Sequence, residues 1–309
     1  MKIAVCIYGH LRTYENCIDN LKKKLLSKYD TDIFMHTWST SERETSYEYR
    51  KEIPLVNNTD TSGCSEKLYA LYNLKSLVIE KQEAREKEFG YYILHDKTID
   101  GKKASLWGVH CMFHSMMEAN KLREEYEKQN NIKYDFVLFI RPDVLLIKEF
   151  NLENYIYPLK EDELKKSFFC CAGAMWNTRI NDIRMFGGGD YLFFASPEAI
   201  SNIFDNIPKM LEQLYDGIQL KDRVIENYFH FMIKDLGYNF WIIDYIIHRD
   251  FTILRADSEV VFDYFKLCDL LLNYCFCKKL RAHYILKILR RLIKVLFWKI
   301  KNKNKQPTW

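Results

Sequence analysis

The feature that most limits the fold of this chain is a strand, a helix and a second strand within its first 38 residues. Lys2–Tyr8 is an apolar run bounded by Gly9, which is the form of a buried strand. Residues 15–29 carry apolar side chains at helical spacing, and residues 32–38 form a second apolar run. Two such strands joined by a helix predict a βαβ unit within a parallel sheet.

The rest of the chain extends this unit into a larger α/β domain. The strongest strand pattern is Phe136–Ile140, and a long helix is predicted over residues 104–129. Because the later strands do not alternate regularly with helices, we expect a mixed sheet flanked by helices, in one domain over residues 1–262. Further strands are predicted at 74–79, 168–172, 191–195, 240–243 and 251–254, and further helices at 197–203 and 220–236.

The positive charge of the chain is concentrated at its C-terminal end. The net charge is +4, but no Asp or Glu follows Asp269, and eleven Lys and Arg residues lie between Lys278 and Lys305. Removing those eleven charges from +4 leaves −7 for residues 1–277. A mildly acidic body offers no electrostatic footprint for nucleic acid, so nucleic acid is not expected as a partner.

Residues 263–309 are predicted to form a basic amphipathic tail. On a helical wheel, Lys287, Arg290, Arg291 and Lys294 share one face, and apolar side chains occupy the opposite face. Helices of this kind lie at the surface of anionic membranes. The alternative is that the apolar face packs on the body of the protein and the lysines are solvated.

The nine cysteines indicate a reducing compartment, because they are odd in number and none lies at Cys-x-x-Cys spacing. His110 and His114 lie four residues apart, a spacing that can bind zinc, but no third ligand is evident in the sequence. No uncharged stretch of 18 residues and no signal peptide are visible. With the basic tail, this predicts a cytoplasmic protein bound peripherally to the inner face of the cell membrane.

A first group of candidate site residues follows the first two strands. Ligands of open α/β sheets bind outside the carboxyl ends of the strands, where Tyr8, Gly9 and Arg12 lie. Gly9 would let a ligand approach the backbone, and Arg12 would contact a phosphate with its forked guanidinium. His36 could bond a ribose or phosphate, and Trp38 could stack on a base. The alternatives are a surface arginine and two half-buried filler side chains.

The sequence Arg141-Pro142-Asp143 is the strongest candidate for chemistry, because it follows the clearest strand directly. Pro142 cannot donate to a sheet, so regular pairing ends there. A carboxylate presented at the rim by Asp143 is suited to Mg²⁺ or Mn²⁺, which bridges the phosphates of a nucleoside diphosphate. Arg141 adds a fixed positive charge for the departing diphosphate. The alternative is an Arg–Asp pair that caps the turn.

A third candidate is Asp190, which follows three consecutive glycines at residues 187–189. The glycines predict a mobile loop that leads into a strand. A carboxylate at this place could act as a general base toward an acceptor hydroxyl, or it could only cap a turn.

Further along, Ser196 and Pro197 are typical of the N-cap and first position of a helix. The turn after the first strand lacks the glycine patterns of dinucleotide-binding and P-loop proteins, which are disfavoured.

Four segments together give the chain a family resemblance. They are residues 9–13, 32–38, 134–143 and 189–199. In this order they resemble a family of bacterial capsular and lipopolysaccharide glycosyltransferases, over roughly residues 1–250. The resemblance implies a GT-A-like, Rossmann-like fold. In it, Arg141-x-Asp143 occupies the place of the Asp-x-Asp metal motif, with Arg141 replacing the first carboxylate.

The resemblance also implies roles for individual residues. Asp190 matches the base of inverting members of the fold, with Glu226 as the alternative. Asp143 and His248 would hold a divalent metal, Mn²⁺ or Mg²⁺. Arg141 and the residues after the first two strands would bind the nucleotide-sugar.

The sequence therefore predicts a glycosyltransferase. It would move a sugar from a nucleotide-sugar donor to a capsular or lipopolysaccharide acceptor, a surface glycan linked to lipid. Two alternatives stay open. One is a non-catalytic sugar-nucleotide or glycan-binding protein of a surface polysaccharide assembly system. The other is a transferase of a non-sugar substituent to the same glycan.

Overall fold

The computed structural model describes residues 1–42, 59–82, 84–85, 98–99, 102–103, 106–180, 183–215, 225–247 and 249–254. Apart from Leu254, these residues belong to one compact unit that comprises Met1–Arg43 and Asn58–Ile253. The predicted domain boundary at residue 262 and the basic tail over 263–309 lie outside the described residues. Within the described part, no helix is both long and apolar enough to cross a membrane.

Seven strands form one mixed sheet, as the sequence predicted. In spatial order they are β10 (Asn239–Ile246), β8 (Ser167–Ile180), β9 (Ile183–Ala195), β6 (Phe136–Ile140), β1 (Lys2–Tyr8), β2 (Asp30–Trp38) and β3 (Leu74–Glu80). β1 pairs in parallel with both β2 and β6, and β2 pairs in parallel with β3. β9 runs antiparallel to β6 and β8, whereas β10 is parallel to β8. The predicted βαβ unit is thus confirmed, and β1 lies inside the sheet.

Helices cover both faces of this sheet. They are α1 (Tyr14–Lys24), α2 (Ser65–Tyr72), α3 (Leu106–Asn130), α4 (Glu153–Ile156), α5 (Glu161–Lys165), α6 (Pro197–Asp205), α7 (Ile207–Tyr215) and α8 (Ile225–Asp235). Two small antiparallel ribbons join β7 (Val144–Leu146) to β11 (Phe251–Ile253) and β4 (Thr98–Ile99) to β5 (Lys102–Lys103). The α/β class with a mixed sheet flanked by helices is therefore confirmed.

Alternate side chains of β1 enter two separate hydrophobic cores, because successive residues of a strand point to opposite faces. Ile3, Val5 and Ile7 belong to the core that contains α1 and α2. The alternate residues Ala4, Cys6 and Tyr8 belong to the core that contains α3 and α6. With both faces covered, β1 and β6 form a rigid base from which their carboxyl-terminal loops extend.

The three glycines at 187–189 lie within β9 and do not form the mobile loop that the sequence predicted. A Cβ on Gly189 would lie only 2.8 Å from Cδ2 of Tyr191 and 3.3 Å from Sγ of Cys171. A side chain at this position would thus crowd the ring of Tyr191 on the same strand and the thiol of Cys171 on β8. The predicted helix start is confirmed, since Oγ of Ser196 accepts a hydrogen bond from the N–H of Ala199 at 3.2 Å.

Candidate functional site

The carboxyl ends of β1, β2 and β6 meet at one edge of the sheet. Tyr8 pairs with His36 across β1 and β2, and Ile7 pairs with Ile140 across β1 and β6. The loops that follow these strands therefore begin side by side. The candidate residues that follow the three strands therefore lie at a common edge.

The turn after β1 adopts a backbone that brings Arg12 back over this edge. Gly9 has a φ of +96° and Arg12 a φ of +48°, both in the left-handed region. The N–H of Arg12 donates to the carbonyl of Ser41 at 2.9 Å, and Nε donates to both carboxylate oxygens of Glu42 at 3.0 and 2.9 Å. Nη1 of Arg12 donates to Oδ2 of Asp143 at 2.9 Å. The guanidinium group is thus fixed between two carboxylates.

Arg141 also donates hydrogen bonds to the carboxylate of Asp143. Its Nε donates to Oδ1 of Asp143 at 3.0 Å and its Nη2 donates to Oδ2 at 2.7 Å, which is a bidentate pair. The guanidinium carbon lies 5.3 Å from the ring centre of Tyr191. Burial alone would lower the pKa of Arg141, but the charges of Asp143 and Asp190 outweigh it and raise the pKa above its ordinary value.

Asp143 differs from the expected open carboxylate. Its side chain is fully buried, and both of its oxygens accept hydrogen bonds from guanidinium groups. The alternative of an Arg–Asp pair at the turn therefore describes the structure, and Arg12 adds a second cation to it. A divalent metal does not fit Asp143 in this arrangement, because the ion would have to displace two arginines from the oxygens that it needs.

Asp190 lies beside this pair and is partly open to solvent. Its Oδ2 is 4.0 Å from Nη1 of Arg141, and its side chain is 22% exposed. The hydroxyl of Tyr8 donates to the backbone carbonyl of Asp190, and Tyr8 itself is 1% exposed. The sequence had suggested that Tyr8 binds a ligand. In the structure Tyr8 is buried, and it fixes the position of Asp190 instead. A small, almost entirely apolar cavity adjoins Asp190, and its lining includes Met112 and Phe193.

His36 and Trp38 lie at the end of β2, but neither is exposed. His36 has no exposed surface, and Trp38 is 1% exposed. The ring of Trp38 packs edge-on to His36 and stacks on His114, with ring centres 5.1 and 5.7 Å apart. This geometry does not support direct contact of either side chain with a ribose, a phosphate or a base.

His36 instead forms a cluster with Glu80 and His114. One ligand atom from each of these residues lies within 4.8 Å of the others, an arrangement that could hold a metal ion. Burial lowers the pKa of His36. Hydrogen bonds from His36, and then from Arg85 and His114, outweigh burial and hold the pKa of Glu80 well below its usual range.

Glu80 is a site residue that the sequence reasoning missed. It is the last residue of β3, which had been predicted only as far as residue 79. The signal that could have found it is its place at a strand end, on the same sheet edge as His36. The cluster contains His114 but not His110, so it differs from the histidine pair that the sequence offered.

Two residues assigned through the family resemblance cannot be placed in the site. Glu226 lies in α8, but its side chain is outside the described part of the structure. His248 is outside the described residues altogether. Their roles as an alternative base and as a metal ligand stay predictions.

Comparison with known proteins finds similarity to solved structures only. No protein-family model matches the chain, and no curated protein matches it. The chain is similar to a crystal structure of the nucleoside-diphosphate-sugar pyrophosphorylase from Vibrio cholerae RC9, with a TM-score of 0.40 and 10% sequence identity, covering 84% of this chain and 98% of that chain. These comparisons do not assign the chain to a family. A similarity at this level carries no information on substrate or reaction.

Proposed function

We propose that this chain is a glycosyltransferase that uses a nucleotide-sugar donor and acts on a capsular or lipopolysaccharide acceptor. The main support for the proposal is that Arg141 and Asp190 lie side by side at the sheet edge. Two hydrogen bonds to Asp143 fix the orientation of Arg141 there. The type of group transferred is supported by the resemblance of the four sequence segments to surface-polysaccharide glycosyltransferases.

Arg141 is suited to bind a diphosphate because its orientation is fixed, while among the described residues its Nη1 has only the 4.0 Å ion pair with Asp190. Nε and Nη2 are bonded to Asp143, whereas Nη1 forms no hydrogen bond among the described residues. A preoriented guanidinium stabilises the charge that develops on a departing nucleoside diphosphate, and little reorganisation is needed during the reaction. Arg12 adds a second positive charge, and Gly9 leaves open space where a Cβ would lie.

Asp190 is suited to act as the base toward the acceptor hydroxyl. It is the most exposed carboxylate that contacts Arg141, and Tyr8 fixes its backbone. Removal of the hydroxyl proton makes the acceptor oxygen nucleophilic toward the anomeric carbon of the donor. Asp143 acts in this proposal as a positioning residue, which orients both guanidinium groups and contacts neither substrate.

Nucleoside diphosphates should stabilise the protein against heat. We expect the matching diphosphate, at 100 times its Kd, to add about 2.7 kcal/mol of stability and raise Tm by about 4–5 °C. Arg141→Lys should lose most of this shift, because a lysine keeps the charge but not the fork. The measurement is a thermal-shift screen of UDP, GDP, CDP and dTDP, repeated with chelator and with Mn²⁺.

The control for this screen is Arg249→Lys, since Arg249 pairs with Asp244 and Asp250 and not with the residues of the site. It should keep the full shift. The proposal is wrong if no nucleoside diphosphate changes Tm. Binding without turnover of any nucleotide-sugar, in the presence of surface-glycan acceptors, would instead indicate a non-catalytic binding protein.

We further propose that the protein binds the inner face of the membrane through residues 263–309, which would bring it to a lipid-linked acceptor. The full chain should bind vesicles that contain phosphatidylglycerol and not vesicles of phosphatidylcholine alone. Reversing the charges of Arg290, Arg291 and Lys294 to Glu should weaken binding by at least about 100-fold, since each basic residue near the surface contributes about 1 kcal/mol. Vesicle flotation measures this, and equal flotation of the variant contradicts it.

A further inference from the structure

The cluster of His36, Glu80 and His114 joins three separate elements of the fold. His36 lies on β2, Glu80 ends β3, and His114 lies on α3. Nε2 of His36 is 3.1 Å and Nε2 of His114 is 2.7 Å from the same oxygen, Oε2 of Glu80. His36 has no exposed surface and His114 is 7% exposed. Two buried imidazoles are therefore aimed at one carboxylate oxygen.

Each member of the cluster also has a further contact that fixes its orientation. Nδ1 of His36 is 2.8 Å from Oγ of Ser115, and Nε of Arg85 donates to Oε1 of Glu80 at 2.8 Å. The ring of His114 is stacked on Trp38. Residues that bind metals are typically oriented in this way by hydrogen bonds to their remaining polar atoms. Because Arg85 occupies Oε1, Glu80 offers Oε2 alone to the centre of the cluster.

We propose that His36, Glu80 and His114 form a site for a divalent transition metal ion, with Zn²⁺ as the best match. The ligand atoms would be Nε2 of each histidine and Oε2 of Glu80. Two imidazole nitrogens and one carboxylate oxygen are donors that suit zinc, whereas Mg²⁺ and Ca²⁺ favour oxygen ligands. This inference is independent of the proposed sugar transfer and of any role for Asp143.

The geometry needs only a small expansion to accept the ion. Zinc ligands lie about 2.0–2.2 Å from the metal, which separates them by roughly 3.3–3.5 Å in a tetrahedron. The present distances of 3.1 and 2.7 Å from Oε2 to the two Nε2 atoms are those of hydrogen bonds, and they would lengthen by roughly 0.2–0.8 Å. The ion would replace the protons that Nε2 of each ring now shares with Glu80.

Ser115 can accommodate the change in the protonation of His36. When the metal binds Nε2, the neutral ring must carry its proton on Nδ1 and donate it to Oγ of Ser115. The hydroxyl of Ser115 can then donate to the backbone carbonyl of His36, which lies 3.3 Å away. A partner that can switch from donor to acceptor is thus already in place.

The test is metal binding by the full chain after treatment with a chelator. We expect one equivalent of Zn²⁺ per chain by calorimetry, and one equivalent of Co²⁺ with the visible absorption of a tetrahedral ion. His114→Gln and Glu80→Gln should each lower the Zn²⁺ affinity by more than about 100-fold, because the loss of an outer partner alone costs roughly 10–100-fold. His230→Gln, which removes another largely buried imidazole on α8, should bind as the wild type does.

Folding of the variants is checked by melting curves in the presence of chelator. Glu80→Gln keeps the shape of the side chain and an acceptor oxygen for the histidines, so it separates loss of a ligand from loss of the fold. The proposal is overturned if no stoichiometric binding occurs, or if either variant keeps the wild-type affinity. Competition by Mg²⁺ at a concentration equal to that of Zn²⁺ also overturns it.

Discussion

Replacement of Asp143 by alanine is expected to lower the free energy of unfolding by about 3–5 kcal/mol. The carboxylate is fully buried and accepts hydrogen bonds from Arg12 and Arg141, whose side chains are each 12% exposed. Without it, two nearly buried guanidinium groups face each other with no shared counter-ion. Removing one member of a buried ion pair leaves an uncompensated charge, which costs far more than the loss of a surface pair.

Denaturant unfolding of the wild type and the variant measures this effect. Asp143→Asn is the matched comparison, since asparagine keeps the shape and one acceptor oxygen, and it should lose less stability than Asp143→Ala. Asp190→Ala is the second control. Asp190 is partly exposed and 4.0 Å from Arg141, so its loss should change stability by no more than about 1 kcal/mol. An unchanged unfolding midpoint for Asp143→Ala would show that the arginines do not depend on this carboxylate.

Replacement of Asp190 by asparagine is expected to reduce sugar transfer by about 10²–10⁴-fold, which is the usual contribution of a general base. Asparagine has nearly the same shape, but it cannot accept a proton from the acceptor hydroxyl. The contacts of Arg12 and Arg141 with Asp143 do not involve Asp190, so binding of the nucleoside diphosphate should be preserved. The loss should therefore appear in kcat and not in the thermal shift produced by the diphosphate.

Glu226→Gln is the comparison for this variant, because the family resemblance left Glu226 as the alternative base. If Asp190→Asn keeps the wild-type rate while Glu226→Gln loses it, the base is Glu226 and the assignment of Asp190 is wrong. If both variants keep the wild-type rate, the edge beside Arg141 is not where the acceptor is activated. The assay follows release of the nucleoside diphosphate in the presence of a surface-glycan acceptor.

The fold was predictable where local patterns are strong. β6 begins and ends where its apolar run does, and the βαβ unit follows from two runs and a helix within 38 residues. The glycines at 187–189 were misread because a glycine run signals a loop locally. Here the run lies within β9, and at Gly189 the space is taken by the side chains of Tyr191 and Cys171, which the local sequence pattern does not show.

The site was predictable only in its general position. Strand ends identify the edge, but they do not show which side chains meet there. The burial of Asp143 depends on Arg12, which is 131 positions away in sequence, and on a left-handed backbone that a non-glycine residue seldom adopts. The cluster of Glu80 with His36 and His114 spans 44 and 34 positions. Such long-range pairings have no periodic signature.

The hydroxyl of Ser115 receives the N–H of Gly9 at 2.8 Å and also contacts the ring of His36. It has one hydrogen to give, so it can serve either the imidazole or the main chain of β2, never both at once. A shift of the ring proton of His36 would therefore be met by rotation of this hydroxyl, while its oxygen can still accept the hydrogen bond from Gly9. One side chain of α3 thus contacts both the histidine cluster and the turn that leads to Arg12.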